Sequence, residues 1–349
     1  MDLSEKQKRR IRTFISYFLG PILFLWLSYS IYTEVRNQPD LVEKWSTIKS
    51  SFGAPVLFTF LAVFALMLVN WGIEALKWKI SVKGIQKISY ATAFRAILSG
   101  TSFSVTTPNR VGEYLGRVLY MNEGNRVKAV SLTIVGSISQ LIITIAFGLV
   151  GLLFLRSRVV SAGLATDFWI DVIIGGTSAT LLLLTVFYFR LPFLIRWLDR
   201  LPFSRKFSWM ISALEEFNAT LLLQLLSLSA IRFLVFILQY YLMFRVFEVD
   251  ITWVQGLLGV SVSFLVMAAI PTIALFTDLG LRGEVNLQLL GLFSNNSLGI
   301  SLTAASIWFI NLIVPALVGS LLILSIKRVL KQDGEKLRQN DKTIIDERN

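Results

Sequence analysis

One polar stretch stands out in a chain that is otherwise strongly apolar, the hydroxyl-rich segment 99–117 with the sequence SGTSFSVTTPNRVGEYLGR. Pro108 lacks an N–H and disfavours helix at the residue before it, so we expect a helix to break there. Gly112 lets the chain turn back, and the free N–H groups of the next helix favour an anionic group. Arg110 and Arg117 could bind phosphate through paired hydrogen bonds.

Glu113 has two interpretations. It could pair with an arginine or a cationic amine of a headgroup, or it could form an ordinary exposed salt bridge with Arg117, four residues later, at the cytoplasmic surface. A second motif, Pro271 followed by Gly283 and Glu284, has similar surroundings. Beside it lies Arg282, which either repeats the arginine–glutamate chemistry of the first motif or forms a local ion pair. Together the motifs predict two halves of one membrane-embedded site.

Polar side chains also occur inside apolar segments. Arg232 lies within such a segment, where an arginine costs about 2.5–3.5 kcal/mol unless it faces a cavity or a partner. Gln239 falls on the same helical face, and Glu113 or Glu284 is the predicted counter-ion. Alternatively, the helix begins just before Arg232 and the side chain reaches the interface. Gln140 lies mid-segment and either lines a cavity or bridges helices.

Composition identifies the class of protein. Of 349 residues, 54% are hydrophobic and 16% are charged, which predicts a multi-pass membrane protein. The net charge of +12 favours basic loops facing anionic lipid over nucleic acid, which we do not expect as a partner. Cysteine and histidine are absent, which removes thiol and imidazole chemistry and the usual zinc sites. We therefore predict no metal, no cofactor and no catalytic residue, and lean towards a transporter over an enzyme.

The expected fold is an all-α polytopic membrane protein with one transmembrane domain over residues 1–330. The six runs long enough to span a bilayer are 14–32, 54–73, 129–155, 168–189, 221–247 and 302–326. Lys77 and Trp78 follow the second run, as expected for a helix leaving the membrane at the headgroups. The two motifs predict re-entrant hairpins; if one or both cross fully, the count becomes eight or ten spans.

Basic residues predict the orientation. Residues 1–13, 74–128, 190–220 and 327–349 hold 26 of the 34 Lys and Arg residues, so these segments and both termini are predicted to be cytoplasmic. Residues 190–220 combine arginines with aromatic residues, which is typical of an amphipathic segment lying on the membrane. Residues 331–349 form a charged tail.

An internal repeat is suggested by matching residues. Tyr90 and Trp253, like Pro108 and Pro271, are 163 residues apart, whereas Glu113 and Glu284 are 171 apart. The predicted repeats cover about 14–155 and about 168–326. Each contains three crossings, an odd number, so the second repeat would be inverted relative to the first, an arrangement common in secondary transporters.

The run from Thr107 to Arg117 resembles a Thr-Pro-Gly-x-x-Gly-Glu signature of flippase-like membrane proteins related to the transmembrane region of lysylphosphatidylglycerol synthase. The segment 76–79 and the Gly-Leu-Arg-Gly-Glu run that ends at Glu284 are also similar to that family. The resemblance covers roughly residues 10–330 and departs at Asn109, where a second glycine is common. It implies a prokaryotic inner-membrane protein that handles lipids or lipid-linked headgroups.

Synthases of this type carry a soluble catalytic domain after the membrane region, and we expect none in the short tail here. The leading hypothesis is therefore a translocator of anionic or aminoacylated phospholipid, or of another lipid-linked headgroup. Its partners would be membrane lipids and a separate synthase or glycosyltransferase. The alternatives are a membrane enzyme of lipid or lipid-linked glycan metabolism with Glu113 as general base, or a scaffold acting through residues 190–220.

Overall fold

The computed structural model describes residues 53–105, 107, 111–199, 217–270 and 275–323, together with Tyr29 and Ser46. Within these ranges all regular structure is helical, which makes the protein an all-α polytopic membrane protein. In chain order the helices are α1 (Ala54–Ser81), α2 (Tyr90–Val105), α3 (Gly112–Val118), α4 (Arg126–Ser161), α5 (Asp167–Asp199), α6 (Ala219–Val246), α7 (Trp253–Ala269), α8 (Leu275–Leu290), α9 (Ser297–Trp308) and α10 (Val314–Leu322). A single π-helical turn, Phe309–Ile313, joins α9 to α10.

Local signals in the sequence explain where several helices begin. Asn218 caps α6 by accepting from the Leu221 N–H, and Asn296 caps α9 by accepting from the Gly299 N–H. Helix α7 starts with a reciprocal capping box between Thr252 and Gln255. These caps satisfy backbone N–H groups that have no partner inside the helix.

Five helical segments in the described ranges are long and apolar enough to cross a membrane, namely 56–81, 123–161, 167–191, 219–246 and 297–322. They coincide with five of the six predicted spans, and the sixth, 14–32, lies outside the described residues. Helix α5 continues without a break to Asp199, so the described part of the predicted interfacial segment extends that helix. Its position relative to a bilayer stays a prediction.

Helices α2 and α3 form the first hairpin, and they pack closely because glycines face each other. Added Cβ atoms on Gly116 would overlap the backbone of Gly100, and one on Gly112 would overlap the Phe103 carbonyl. The return arm α3 has 7 residues. That is about 10 Å of helix, too short to cross a hydrocarbon core of about 30 Å.

The hydroxyl groups that make α2 look polar are mostly bonded within the protein. Thr101 donates to the Ile97 carbonyl at 3.1 Å, and Ser104 donates to the Thr101 carbonyl at 2.8 Å. Such back-bonding satisfies a small hydroxyl without a partner on another helix. The segment is therefore suited to tight helix contacts as much as to ligand binding.

Helices α7 and α8 form the second hairpin, and the two hairpins contact distant spans in a reciprocal way. Helix α2 packs on α10, where Gly319 meets the Leu98 backbone, and α7 packs on α4, where Gly148 meets the Ser261 carbonyl. Gly148 and Gly319 are 171 residues apart, and Leu98 and Ser261 are 163 apart. These are the offsets of the predicted repeat, although the repeat itself stays a prediction.

Because the two arms of the first hairpin approach each other closely, adding a single methyl group at Gly116 should lower stability. Gly116→Ala should destabilise the protein by about 1–3 kcal/mol through overpacking, which lowers the Tm by several degrees. The matched control is Gly175→Ala, since nothing lies within 4 Å of a Cβ at that helical position. Thermal unfolding in detergent measures both, and equal Tm values for the two variants would contradict the packing argument.

The absence of cysteine allows the predicted orientation to be tested with single thiols. Gly124 lies between α3 and α4 with open space around it, and Ala162 is exposed just after α4. We expect an impermeant maleimide to label Ala162→Cys in intact cells and Gly124→Cys only after permeabilisation. The opposite pattern would reverse the orientation.

Candidate functional site

A cavity of about 650 Å³ lies between the two hairpins and the long helices. The first hairpin contributes Thr101, Ser104 and Glu113, and the second contributes Asp278 and Arg282. The remaining lining residues are Trp71, Glu74, Gly136, Ser137, Gln140, Leu141, Thr144, Arg232, Phe233, Phe236, Phe264, Met267, Ala268, Ala269, Ile270, Ile307, Trp308, Asn311 and Leu312. The volume falls within the range of about 300–1,000 Å³ that is usual for small-molecule sites.

One buried carboxylate, Glu74 on α1, binds three cations. Arg117 on α3 donates to Oε1 at 2.9 Å, Arg232 on α6 donates to Oε2 at 2.8 Å, and Lys77 lies 3.4 Å from Oε2. Arg117 also bonds Glu113, one helical turn away. We call these five residues the Glu74 cluster. Three cations and two carboxylates leave an excess of one positive charge beside the cavity.

Arg232 is the member of this cluster that both borders the cavity and lies deep within a long helix. Its Nε donates to Asn70 Oδ1 at 2.6 Å, and its guanidinium lies 5.3 Å from the Trp71 ring centroid and 5.8 Å from that of Phe236. The side chain is 13% exposed. Since α6 runs from Ala219 to Val246, Arg232 is at mid-helix and the alternative of a helix end at this residue is wrong.

The second hairpin adds one more ion pair to the cavity. Arg282 Nη2 lies 3.4 Å from Asp278 Oδ2, one turn earlier on α8, and its buried Nε has no hydrogen-bond partner among the described residues. Both side chains border the cavity. Counting this ion pair with the Glu74 cluster, in which Lys77 and Arg117 lie buried behind the lining, the whole group keeps one positive charge in excess.

Aromatic and aliphatic side chains supply the apolar part of the cavity lining. Phe233 stacks on Phe147 at 4.7 Å between ring centroids, and Phe264 packs edge-on against Phe233 and Tyr240. Leu141, Leu312 and Met267 extend the apolar surface at the cavity. The cavity is therefore amphipathic, because charged and apolar side chains both line it.

A tyrosine outside the spans links the first hairpin to α10. Tyr120 Oη lies 3.0 Å from Ser99 Oγ and donates to the Leu322 carbonyl at 3.3 Å. Burial raises the pKa of Tyr120 to about 12, and its hydrogen bond with Ser99 partly offsets that rise. The hydroxyl therefore stays protonated at neutral pH and keeps its donor.

Of the residues predicted from the sequence, the structure brings Glu113, Gln140, Arg232 and Arg282 to one cavity. Arg117 lies behind them in the Glu74 cluster with its side chain 3% exposed, so its bridge to Glu113 is not an exposed surface pair. Pro108 and Arg110 lie outside the described residues, as does Pro271.

The other predicted residues lie away from the cavity lining. Gly112 packs inside the first hairpin, where its N–H donates to Thr107 Oγ1 at 2.7 Å. Gln239 is fully buried and donates to the Val63 carbonyl. Gly283 is not among the lining residues, and Glu284 is exposed and bonded to Gln288. Binding roles for these four positions stay predictions.

Two expectations, one about the partner of Arg232 and one about the end of α1, were wrong for a common reason. Arg232 pairs with Glu74, not with Glu113 or Glu284, and Lys77 and Trp78 are buried in protein and do not mark a lipid-facing helix end. The predicted span ended at residue 73, whereas α1 continues to Ser81. The added two turns carry Glu74 and Lys77 into the interior.

Sequence reasoning missed four lining or supporting residues: Glu74, Asn70, Asp278 and Asn311. Glu74 and Lys77 had a visible signal, because opposite charges three residues apart share one helix face. Asn311 had none, because its position depends on the π turn. Within the described ranges, no three acidic side chains converge as a metal site would require.

Removing the carboxylate at the centre of the cluster should be strongly destabilising. Glu74→Gln leaves Lys77, Arg117 and Arg232 with too little negative charge, and breaking a buried pair costs about 3–5 kcal/mol, so the Tm should fall by about 6 °C or more. The double variant with Arg232→Gln should recover part of the loss. Glu284→Gln, at an exposed carboxylate, serves as control and should change stability by less than about 0.5 kcal/mol. Similar Tm values for Glu74→Gln and Glu284→Gln would contradict the central role of Glu74 in the cluster.

Comparison with known proteins places this geometry in a family. No curated protein matches the chain significantly. The family described as the lysylphosphatidylglycerol synthase TM region, however, matches residues 14–319, a range that includes every described helix except the last residues of α10. The match agrees with the resemblance carried by the motif that ends at Arg117. The chain therefore belongs to the lysylphosphatidylglycerol synthase TM region family of multi-pass membrane proteins.

Proposed function

We propose that the protein translocates a phospholipid, or another lipid-linked headgroup, by binding its polar part in the cavity between the two hairpins. The observation that carries this proposal is the amphipathic lining, which combines charged side chains of the Glu74 cluster with Phe233, Phe236 and Phe264. A lipid needs both surfaces at once. A soluble anion would need only the charged one.

The charge balance supports an anionic or zwitterionic headgroup. The carboxylates of Glu74 and Asp278 already bind cations, and the lining together with the buried Lys77 and Arg117 behind it carries one positive charge in excess. An excess positive charge beside a low-dielectric cavity favours a ligand with a phosphate. Aminoacylated phospholipids also carry an amine, for which the partly exposed Glu113 carboxylate is the nearest candidate at 28% exposure.

The hairpins supply the means of exposing the site to each side. Both contribute lining residues, and each packs on a long span at a glycine that meets the backbone of the hairpin helix. Small sliding movements between packed helices are one way in which one element moves against another. Inverted hairpins around one central site are the arrangement from which alternating access is built.

The family also supports a location in a bacterial or archaeal cytoplasmic membrane, and lysylphosphatidylglycerol and its precursor are the first lipids to test. Translocation needs no aminoacyl-transfer chemistry from this membrane region. A separate synthase or glycosyltransferase would then supply the headgroup. We infer these assignments from family membership together with the cavity.

Reconstitution tests the proposal. Purified protein in liposomes should speed leaflet exchange of acyl-labelled phosphatidylglycerol, measured by quenching of the outer leaflet. Arg232→Gln should lower the rate about tenfold or more, because a charged hydrogen bond to the phosphate contributes about 1.5–3 kcal/mol.

The matched control is Arg156→Gln, since Arg156 forms an exposed salt bridge with Asp171 away from the cavity. Its rate should equal that of the wild type. Exchange no faster than in empty liposomes, for phosphatidylglycerol and for its aminoacylated forms, would refute translocation. Chemical turnover of the lipid that is lost in Glu113→Gln would instead favour the enzyme hypothesis.

A further inference from the structure

The predicted repeat changes its offset by one residue near the π turn in the last described span. Before it, Ser131-Leu-Thr133 and Ser301-Leu-Thr303 match at an offset of 170. After it begins, Gln140-Leu-Ile142 and Asn311-Leu-Ile313 match at 171. A π turn, with i to i+5 hydrogen bonds, accommodates one additional residue within a helix. The change of register therefore coincides with Phe309–Ile313.

The packing of the two helices agrees with the second offset. Gly148 on α4 and Gly319 on α10 each meet the backbone of a hairpin helix, and they are also 171 residues apart. Gln140 and Asn311 lie two turns before these glycines. An additional residue at the π turn rotates the side chains there relative to those before it. Beyond the π turn, α10 still places Gly319 against a hairpin helix.

The two amides that correspond at this offset both line the cavity, and both carry a buried carbonyl oxygen without a partner among the described residues. These atoms are Gln140 Oε1 and Asn311 Oδ1. Asn311 is 94% buried, and its Nδ2 donates to the Ile307 carbonyl at 3.3 Å, which fixes the orientation of the amide. The oxygen is therefore the free atom. A buried acceptor without a donor is costly, so such atoms usually have a ligand or an ordered molecule beside them.

Hydrogen-bond donors without a partner also line the cavity. The indole N–H groups of Trp71 and Trp308 have no partner in the described part of the chain, and Arg232 uses only Nε and Nη1 for Asn70 and Glu74. A ligand that satisfies the whole wall needs acceptors for these donors and donors for the two amide oxygens. A phosphate ester that also bears hydroxyl or ammonium groups has both.

We propose that Gln140 and Asn311 form an amide pair that accepts hydrogen bonds from the hydroxyl or ammonium donors of a phosphate-ester headgroup. The pair selects such headgroups over phosphate esters of the same charge that lack donors. This inference rests on the proposed function, because it assigns the recognition step of the same cavity. Arg232 then binds the phosphate, and the two amides bind the hydroxyl or ammonium groups of the headgroup.

The test compares two lipids of the same charge, one with hydroxyl donors on its headgroup and one without. Phosphatidylglycerol has two hydroxyls on its headgroup, whereas phosphatidylmethanol has the same phosphodiester charge and none. Leaflet exchange of both, with identical labelled acyl chains, is measured for the wild type, Gln140→Leu, Asn311→Leu and Asn311→Gln. Native mass spectrometry of the detergent-purified proteins measures retention of each lipid independently of transport.

A matched control is present on α8. Asn286 is fully buried, its Nδ2 donates to the carbonyl four residues earlier, and its Oδ1 has no partner among the described residues, as in Asn311. It does not line the cavity. Asn286→Leu therefore removes the same chemical group at a site that contacts no ligand, and variants whose Tm falls further than that of Asn286→Leu are excluded from the comparison.

The wild type should move and retain phosphatidylglycerol about fivefold better than phosphatidylmethanol, as expected for one or two neutral hydrogen bonds. Gln140→Leu and Asn311→Leu should bring the ratio close to one by weakening phosphatidylglycerol alone, and Asn311→Gln and Asn286→Leu should keep it. An aminoacylated phosphatidylglycerol, measured alongside, shows whether ammonium or hydroxyl is the preferred donor.

Two failures are distinguishable. If the wild type moves neither lipid, translocation is refuted, and retention in the mass spectrometer still decides the amide pair. If the wild type moves both lipids at the same rate, or if the Leu variants keep the wild-type ratio, the amide pair is refuted and translocation stands. A ratio lost equally in Asn286→Leu would also refute it, because the effect would then be structural.

Discussion

A single buried carboxylate binds three cations from three helices, and the interior of this protein depends on that interaction. Glu74 on α1 binds Arg117 of the first hairpin and Arg232 of α6, together with Lys77 of its own helix. Without it, three cations would face one another in a low-dielectric interior, where each uncompensated charge is expensive. The carboxylate also joins the first hairpin to the spanning helices, so the position of the hairpin and the charge of the cavity depend on the same residue.

Close packing through glycine makes the second constraint. Gly100, Gly112 and Gly116 bring the arms of the first hairpin together, and Gly148 and Gly319 bring the hairpins against α4 and α10. In a membrane, helices gain little from burying apolar side chains against each other, because lipid is equally apolar. Backbone proximity and buried polar contacts must then supply the association. The Glu74 cluster and the glycine contacts therefore both contribute to the association of the helices.

Much of the fold could be predicted from the sequence, because its signals are local. Apolar length locates the five long helices, and Pro108 with Gly112 indicates the break between α2 and α3. The partner of Arg232 could not be predicted, because three carboxylates were chemically equivalent until α1 was seen to extend beyond Ile73. Glu284, by contrast, was predicted to belong to the site and does not line the cavity. It matches Glu113 in sequence but is exposed, since one residue of helical rotation decides which face a side chain occupies.

If the protein translocates lipid as proposed, the π turn at Phe309–Ile313 has a consequence for the direction of transport. A carrier with two strictly equivalent inverted halves offers the same binding surface when it opens to either side, so loading from the two leaflets is equally favourable. Here one amide is an asparagine on a π turn and the other is a longer glutamine on a regular helix. A headgroup that arrives from one leaflet meets these two groups in the reverse order from one that arrives from the other. Under the proposed translocation, the barrier to loading differs between the two leaflets, and the π turn is the proposed source of that difference.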